Sequence, residues 1–139
     1  METIITYTGG ESRGNPGPAG VGVYVTNKKG EVIKEAKEAI GNATSIFAEY
    51  YGVMSALQTL KKLFGKKTKE MQFEMRLGND LVEKQLSGKT QIKDPGLVPM
   101  FIEIHNMKVE NFPNIFFTQV PKTKNKEADR LASEAMNGR

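Results

Sequence analysis

The sequence contains no cysteine, no tryptophan and a single histidine, His105. Without thiols there is no disulfide framework, no thiolate zinc site and no cysteine nucleophile. One histidine leaves no room for a multi-histidine metal centre. No run approaches the roughly 20 consecutive apolar residues of a membrane span, so no membrane partner is expected. The opening Met1-Glu2-Thr3-Ile4-Ile5 lacks the basic and apolar stretches of a secretory signal. Together with the missing cysteine, this fits a cytoplasmic protein. Charge is not extreme either: 20 Lys and Arg stand against 16 Asp and Glu, a formal +4. That excess permits a polyanionic partner, and a solvated surface with spare lysines explains it equally well. Any hydrolytic metal chemistry would have to rest on the carboxylates, so their placement is the question.

No internal repeat and no Ser/Pro/Gly linker interrupts the chain, and residues 1–139 read as one domain. Residues 3–8 are β-branched and aromatic, a strand. Gly9 to Ala19 is rich in glycine and proline, which predicts a tight loop. Gly20 to Thr26 alternates, with Val21, Val23 and Val25 on one face. After the turn Asn27–Gly30, residues 31–39 return as a third strand. From Thr44 the period changes: Ile46, Tyr50, Val53, Leu57, Leu60 and Phe64 follow helical spacing until Gly65. Residues 70–77 alternate as a strand, and Asn79 is placed to cap a short helix ending at Gly88. A helix opened by Pro95, a strand at 115–120 and an amphipathic helix at 125–136 complete the order βββαβααβα. Helical crossovers should set the later strands parallel to the first. In open sheets of this kind, sites form at the carboxyl ends of adjacent parallel strands. Here those ends are Thr8-Gly9, Leu77-Gly78 and the loop after Val120.

The residues at those ends carry a resemblance. Tyr7-Thr8-Gly9-Gly10-Glu11-Ser12-Arg13-Gly14-Asn15-Pro16-Gly17-Pro18 resembles the opening motif of type 1 ribonuclease H. Ala48-Glu49-Tyr50 resembles that family's helical glutamate. Leu81-Val82-Glu83-Lys84-Gln85-Leu86 resembles the helix after its fourth strand, and Asn125-Lys126-Glu127-Ala128-Asp129-Arg130-Leu131-Ala132 its last helix. The resemblance implies an α/β ribonuclease H-like fold, with a five-stranded mixed sheet of order 3-2-1-4-5 flanked by helices. It also implies cleavage of RNA in RNA/DNA hybrids by two Mg²⁺ ions held on four carboxylates. Such ions activate water and stabilise the leaving oxygen, and being hard cations they require oxygen ligands.

Carried over position by position, the carboxylate set is incomplete. Glu49 and Asp129 are present, whereas the first-strand and fourth-strand aspartates fall on Gly9 and Gly78. The loop histidine falls on Gln119. The resemblance therefore implies a degenerate catalytic set, with Mg²⁺ (or Mn²⁺) binding weakened and catalysis lost or severely impaired. A displaced set of Glu11, Glu49, Asp80 and Asp129 is the alternative. Glu11 and Asp80 each lie two residues beyond a lost aspartate, and two-residue spacing returns a side chain to the same face only in extended backbone. A turn and a helix start are expected there instead. A further alternative is a non-catalytic protein-interaction scaffold.

What remains is weak binding of RNA/DNA hybrid or double-stranded nucleic acid by a monomer. The resemblance places Arg13, Gly14, Asn15 and the position of Ser45 at that interface, and Asn125 is a further candidate. Lys84, Lys122, Lys124 and Lys126 fit a solvated face as well as a phosphate track. His105 reads as structural, and the apolar methionines as core filler.

Overall fold

The computed structural model describes residues 2–138. Strands β1 (Thr3–Ser12), β2 (Gly17–Asn27) and β3 (Val32–Ala43) form an antiparallel meander. Helix α1 (Ser45–Phe64) crosses to β4 (Gln72–Leu77), which lies parallel to β1. Helices α2 (Asp80–Leu86) and α3 (Val98–Asn111) lead to β5 (Ile115–Gln119), parallel to β4, and α4 (Lys126–Met136) closes the chain. The sheet order is β3-β2-β1-β4-β5, as the resemblance implies.

Side-chain alternation divides the sheet into two faces. Ile4, Val21, Val23, Val25, Phe73 and Met75 turn inward toward α1, whose Tyr50, Val53, Leu57 and Leu60 are fully buried against them. Each such leucine or valine contributes about 1.5–3 kcal/mol by leaving water. Phe112 closes the base of this core edge-on against Phe73, ring centroids 5.1 Å apart. The helix ends follow their sequence signals. The Thr44 hydroxyl accepts from the Phe47 amide at 3.2 Å, and Gly65, at φ 56°, terminates α1. Asn79 caps α2 through the Val82 amide at 3.0 Å.

Helix α4 covers part of the other face with Ala128, Leu131, Ala132 and Ala135. Arg130 ties it to β3 through Glu35 at 2.6 Å, and Lys37 through Glu134 at 2.9 Å. These exposed pairs orient the helix more than they stabilise it.

The expected loop at Gly9–Ala19 is a correction. β1 continues in register to Ser12, pairing Gly9 with Gly22, Glu11 with Gly20 and Ser12 with Ala19. Only residues 13–16 lie outside strands. The glycines there admit helix backbone rather than turn it: a Cβ on Gly10 would lie 2.4 Å from the Ala48 carbonyl of α1. Local composition signalled a turn, and close packing of helix on sheet overrode it.

Candidate active site

The carboxyl ends of β1 and β4 open into a cleft of about 300 Å³, lined by Glu11, Glu49, Asp129, Lys122, Asn125 and neighbouring backbone. Glu49 comes from the first turns of α1 and Asp129 from the start of α4. Glu11 comes from the extension of β1. The extended backbone returns Glu11 to the face of Gly9, contrary to the turn expected there. Its Oε2 is buried without a hydrogen-bond partner among the described residues.

Asp80 does not join this group. It lies exposed in the first turn of α2 and pairs with Lys84 at 3.0 Å, so both side chains stay outside the cleft. A helix start turns a residue two positions on to a different face, which removes Asp80 from the displaced set. Gln119, at the position of the family's loop histidine, does not join the group either. It ends β5, exposed, with its amide donating to the Val120 carbonyl at 3.0 Å, and does not line the cleft.

Three acids facing one lysine perturb one another. Burial pushes Glu49 up to about 8, with Asp129 and then Glu11 adding to the shift, while Lys122 and a hydrogen bond from the Gly10 backbone oppose it. Glu11 is raised by burial and then by Asp129, against Lys122. Asp129 is raised by burial. Glu49 is therefore mainly protonated at neutral pH, which removes one negative charge from the cleft.

The two glycines at the strand ends differ. A Cβ on Gly9 would lie 2.8 Å from the Ala128 carbonyl oxygen and 2.9 Å from Asp129 Oδ1, so α4 backbone occupies that place. A Cβ on Gly78 meets nothing nearer than Asn125 Nδ2 at 3.6 Å. Asn125 bridges the two strand ends. It is 2% exposed, and its amide donates to the Thr8 carbonyl at 2.9 Å. Its Oδ1 is left unpartnered among the described residues. Expected at a nucleic-acid surface, it lies buried at the floor of the cleft that it lines and makes no capping bond to α4. An asparagine four residues before Asp129 gives no hint in sequence that it serves a neighbouring strand.

Mg²⁺ demands near-octahedral oxygen ligation. Among the described residues no group of three His, Cys, Asp or Glu side chains is close enough to hold a metal ion. The three acids of the cleft thus form no three-ligand protein site for such an ion among the described residues.

The remaining expected nucleic-acid residues sit beside the cleft. Asn15 Oδ1 accepts from the Ser45 amide at 3.0 Å, which ties the 13–16 loop to the start of α1. The Ser12 hydroxyl donates to the Ala43 carbonyl at 2.7 Å and also reaches Gly14. Ser12 was not anticipated from sequence as an anchor of this loop. Arg13, Gly14 and Lys122 are exposed along the rim.

A five-stranded sheet of this order, with carboxylates of α1, α4 and the β1 extension gathered at the carboxyl ends of β1 and β4, defines a ribonuclease H-fold domain, and residues 7–135 match the reverse transcriptase-like family. The solved structure of LC11-RNase H1, isolated from compost, is 40% identical with a TM-score of 0.94, over 99% of this chain and 98% of that one. RNase H1 from the archaeon Halobacterium salinarum is 35% identical with a TM-score of 0.88, over 99% of both chains. The chain belongs to the type 1 ribonuclease H family. Among curated relatives, it is 37% identical over 138 residues to the bifunctional protein Rv2228c of Mycobacterium tuberculosis, and spans 36% of that protein's length. It spans 64% of the Halobacterium ribonuclease HI sequence, again at 37% identity. Among the described residues no helix is long and apolar enough to cross a membrane.

Proposed function

We propose that this domain binds RNA/DNA hybrid across the cleft and its loop rim, and that it does not cleave the hybrid efficiently. The carrying observation is the closure at Gly9. Where the family resemblance calls for a metal-bridging carboxylate, the α4 backbone stands 2.8 Å from the place of a Cβ. Losing a ligand that stabilises the transition state by several kcal/mol slows turnover by roughly 10² to 10⁴. Binding has separate support. LC11-RNase H1, 41% identical with a TM-score of 0.93, was solved in complex with an RNA/DNA hybrid. In this chain the pinned loop with Arg13, together with Lys122, offers exposed cationic groups to phosphate. A protonated Glu49 keeps repulsion low.

Fluorescence anisotropy with a blunt RNA/DNA hybrid tests the binding. Saturable binding that weakens steeply with salt, and weakens further in Arg13→Ala and Lys122→Ala, is expected. Salt-independent or absent binding, even at low ionic strength, would favour a protein-interaction scaffold. A second reading, a working nuclease, draws on Glu11, which the extended strand turns into the cleft beside Glu49 and Asp129. Mn²⁺-dependent cleavage lost in both Glu11→Gln and Glu49→Gln would establish it.

A further inference from the structure

A second cavity, of about 330 Å³, opens on the α4 side of the sheet, bounded by Tyr7, Tyr24, Thr26, Thr123, Lys124 and Lys126. Hybrid binding at the cleft makes no use of it. Tyr7 and Tyr24 are directly paired across β1 and β2. Their ring centroids are 6.0 Å apart with planes inclined at 59°, so neither ring stacks flat on the other. Tyr7 is held in place: the Arg76 guanidinium lies 5.4 Å from its ring centroid and donates to its hydroxyl at 2.7 Å. Glu74 in turn fixes Arg76 at 2.9 Å. Tyr7 thus forms a rigid floor, with the half-buried Tyr24 beside it. Lys124 and Lys126 stand exposed on the rim. Glu127, the one acid in the lining, is engaged by Arg130 at 3.3 Å, so the lysines set the sign of the opening.

An aromatic floor under a cationic rim, in a cavity of this size, matches a flat ring carrying a phosphate. Single-stranded nucleic acid is held in this way, by stacking on aromatic side chains beside backbone-tracking cations. The cavity also adjoins the cleft. Lys122 lines the cleft, while its successors Thr123 and Lys124 line the cavity, and α4 contributes Asp129 to one and Glu127 to the other. A strand leaving the cleft over the Lys122–Lys124 turn arrives at the tyrosines.

We propose that the Tyr7–Tyr24 cavity is a subsite for an unpaired nucleotide, which adds recognition of a single-stranded tail to hybrid binding. This rests on the hybrid-binding proposal above, and the test separates the two. Anisotropy is measured with a blunt RNA/DNA hybrid, the same hybrid carrying an oligo-dT tail on each strand end in turn, and oligo-dT alone. A tail on at least one end should tighten binding roughly tenfold, the scale of one stacked base. Tyr24→Ala should abolish that gain and leave blunt-hybrid affinity unchanged, Lys124→Ala with Lys126→Ala should weaken the tailed hybrid more than the blunt one, and Tyr24→Phe should keep the gain. Both lysines are exposed, so the charge variants also guard against misfolding of the tyrosine variant. Equal affinity for blunt and every tailed hybrid, or a tail gain that survives both sets of changes, would overturn the subsite. If blunt hybrid fails to bind, the cleft proposal falls. Oligo-dT binding lost in the same variants then still supports the subsite, and no oligo-dT binding overturns it too.

Discussion

The ends of β1 and β4 are neighbouring parallel strand termini, each with glycine where the family resemblance calls for aspartate, yet they are built differently. At Gly9 the α4 backbone packs close, with the Ala128 carbonyl and the Asp129 carboxylate both within 2.9 Å of a Cβ position. At Gly78 the nearest neighbour is a side-chain amide 3.6 Å away, and the position borders the open cleft. Identical residues at equivalent places therefore carry different consequences. One glycine is part of the packing of a helix on a sheet, and the other is a vacancy in a polar cleft. Placing an acid at the two positions should therefore differ in cost.

Restoring the acid at each end probes that contrast. Gly9→Asp should be the most costly change, because main-chain atoms must move and a carboxylate is added beside Glu49 and Asp129. We expect a loss of about 3 kcal/mol, a melting temperature roughly 10 °C lower by calorimetry. Unchanged melting would show that α4 yields freely.

Glu49 reports on the acids that the two ends share. Its folded-state value near 8 exceeds the ordinary 4.5. Across that window the folded chain holds a proton that the unfolded chain has lost. Stability therefore falls as pH rises from about 5 to about 8, and this group adds no change above it. Urea titrations across that range should show a decline of roughly 3–4 kcal/mol, most of which Glu49→Gln removes. A stability that rises through the window would contradict the assigned environment.

Gly78→Asp should alter stability by less than about 1 kcal/mol, since the site has room. It should raise the affinity of the cleft for Mn²⁺, read by isothermal titration, above that of the unmodified chain. Asp80→Asn should do least. Its ion pair with Lys84 is exposed, so thermal denaturation should shift by no more than about 0.5 kcal/mol, with hybrid affinity unchanged. A large effect on binding would return Asp80 to the site.

These contrasts explain what could be read from the chain in advance. The helices were legible because their periodicity and caps are local: Thr44, Gly65 and Asn79 bound α1 and α2 where expected. The antiparallel sense of the first three strands follows from the hairpins and the parallel sense of the later ones from helical crossovers, whereas the order 3-2-1-4-5 is what the family resemblance implies. The end of β1 was not legible, because Gly9 and Gly10 resemble turn residues until the helices that press on them are in place. Glu11 was displaced from expectation by that same error. Asp80 was legible, because a helix start was expected there and α2 opens on it, which keeps it out of the cleft. Asn125 needed the tertiary fold, because its partner is the carbonyl of Thr8, 117 residues away.

A single-turnover assay with protein in excess over labelled RNA/DNA hybrid in Mg²⁺, with binding confirmed in the same tubes, tests the proposed function most directly. Bound hybrid that remains intact is the expected result. Mg²⁺-dependent cleavage by the unmodified chain that disappears in Glu49→Gln would show that the cleft, despite its two glycines, still cuts.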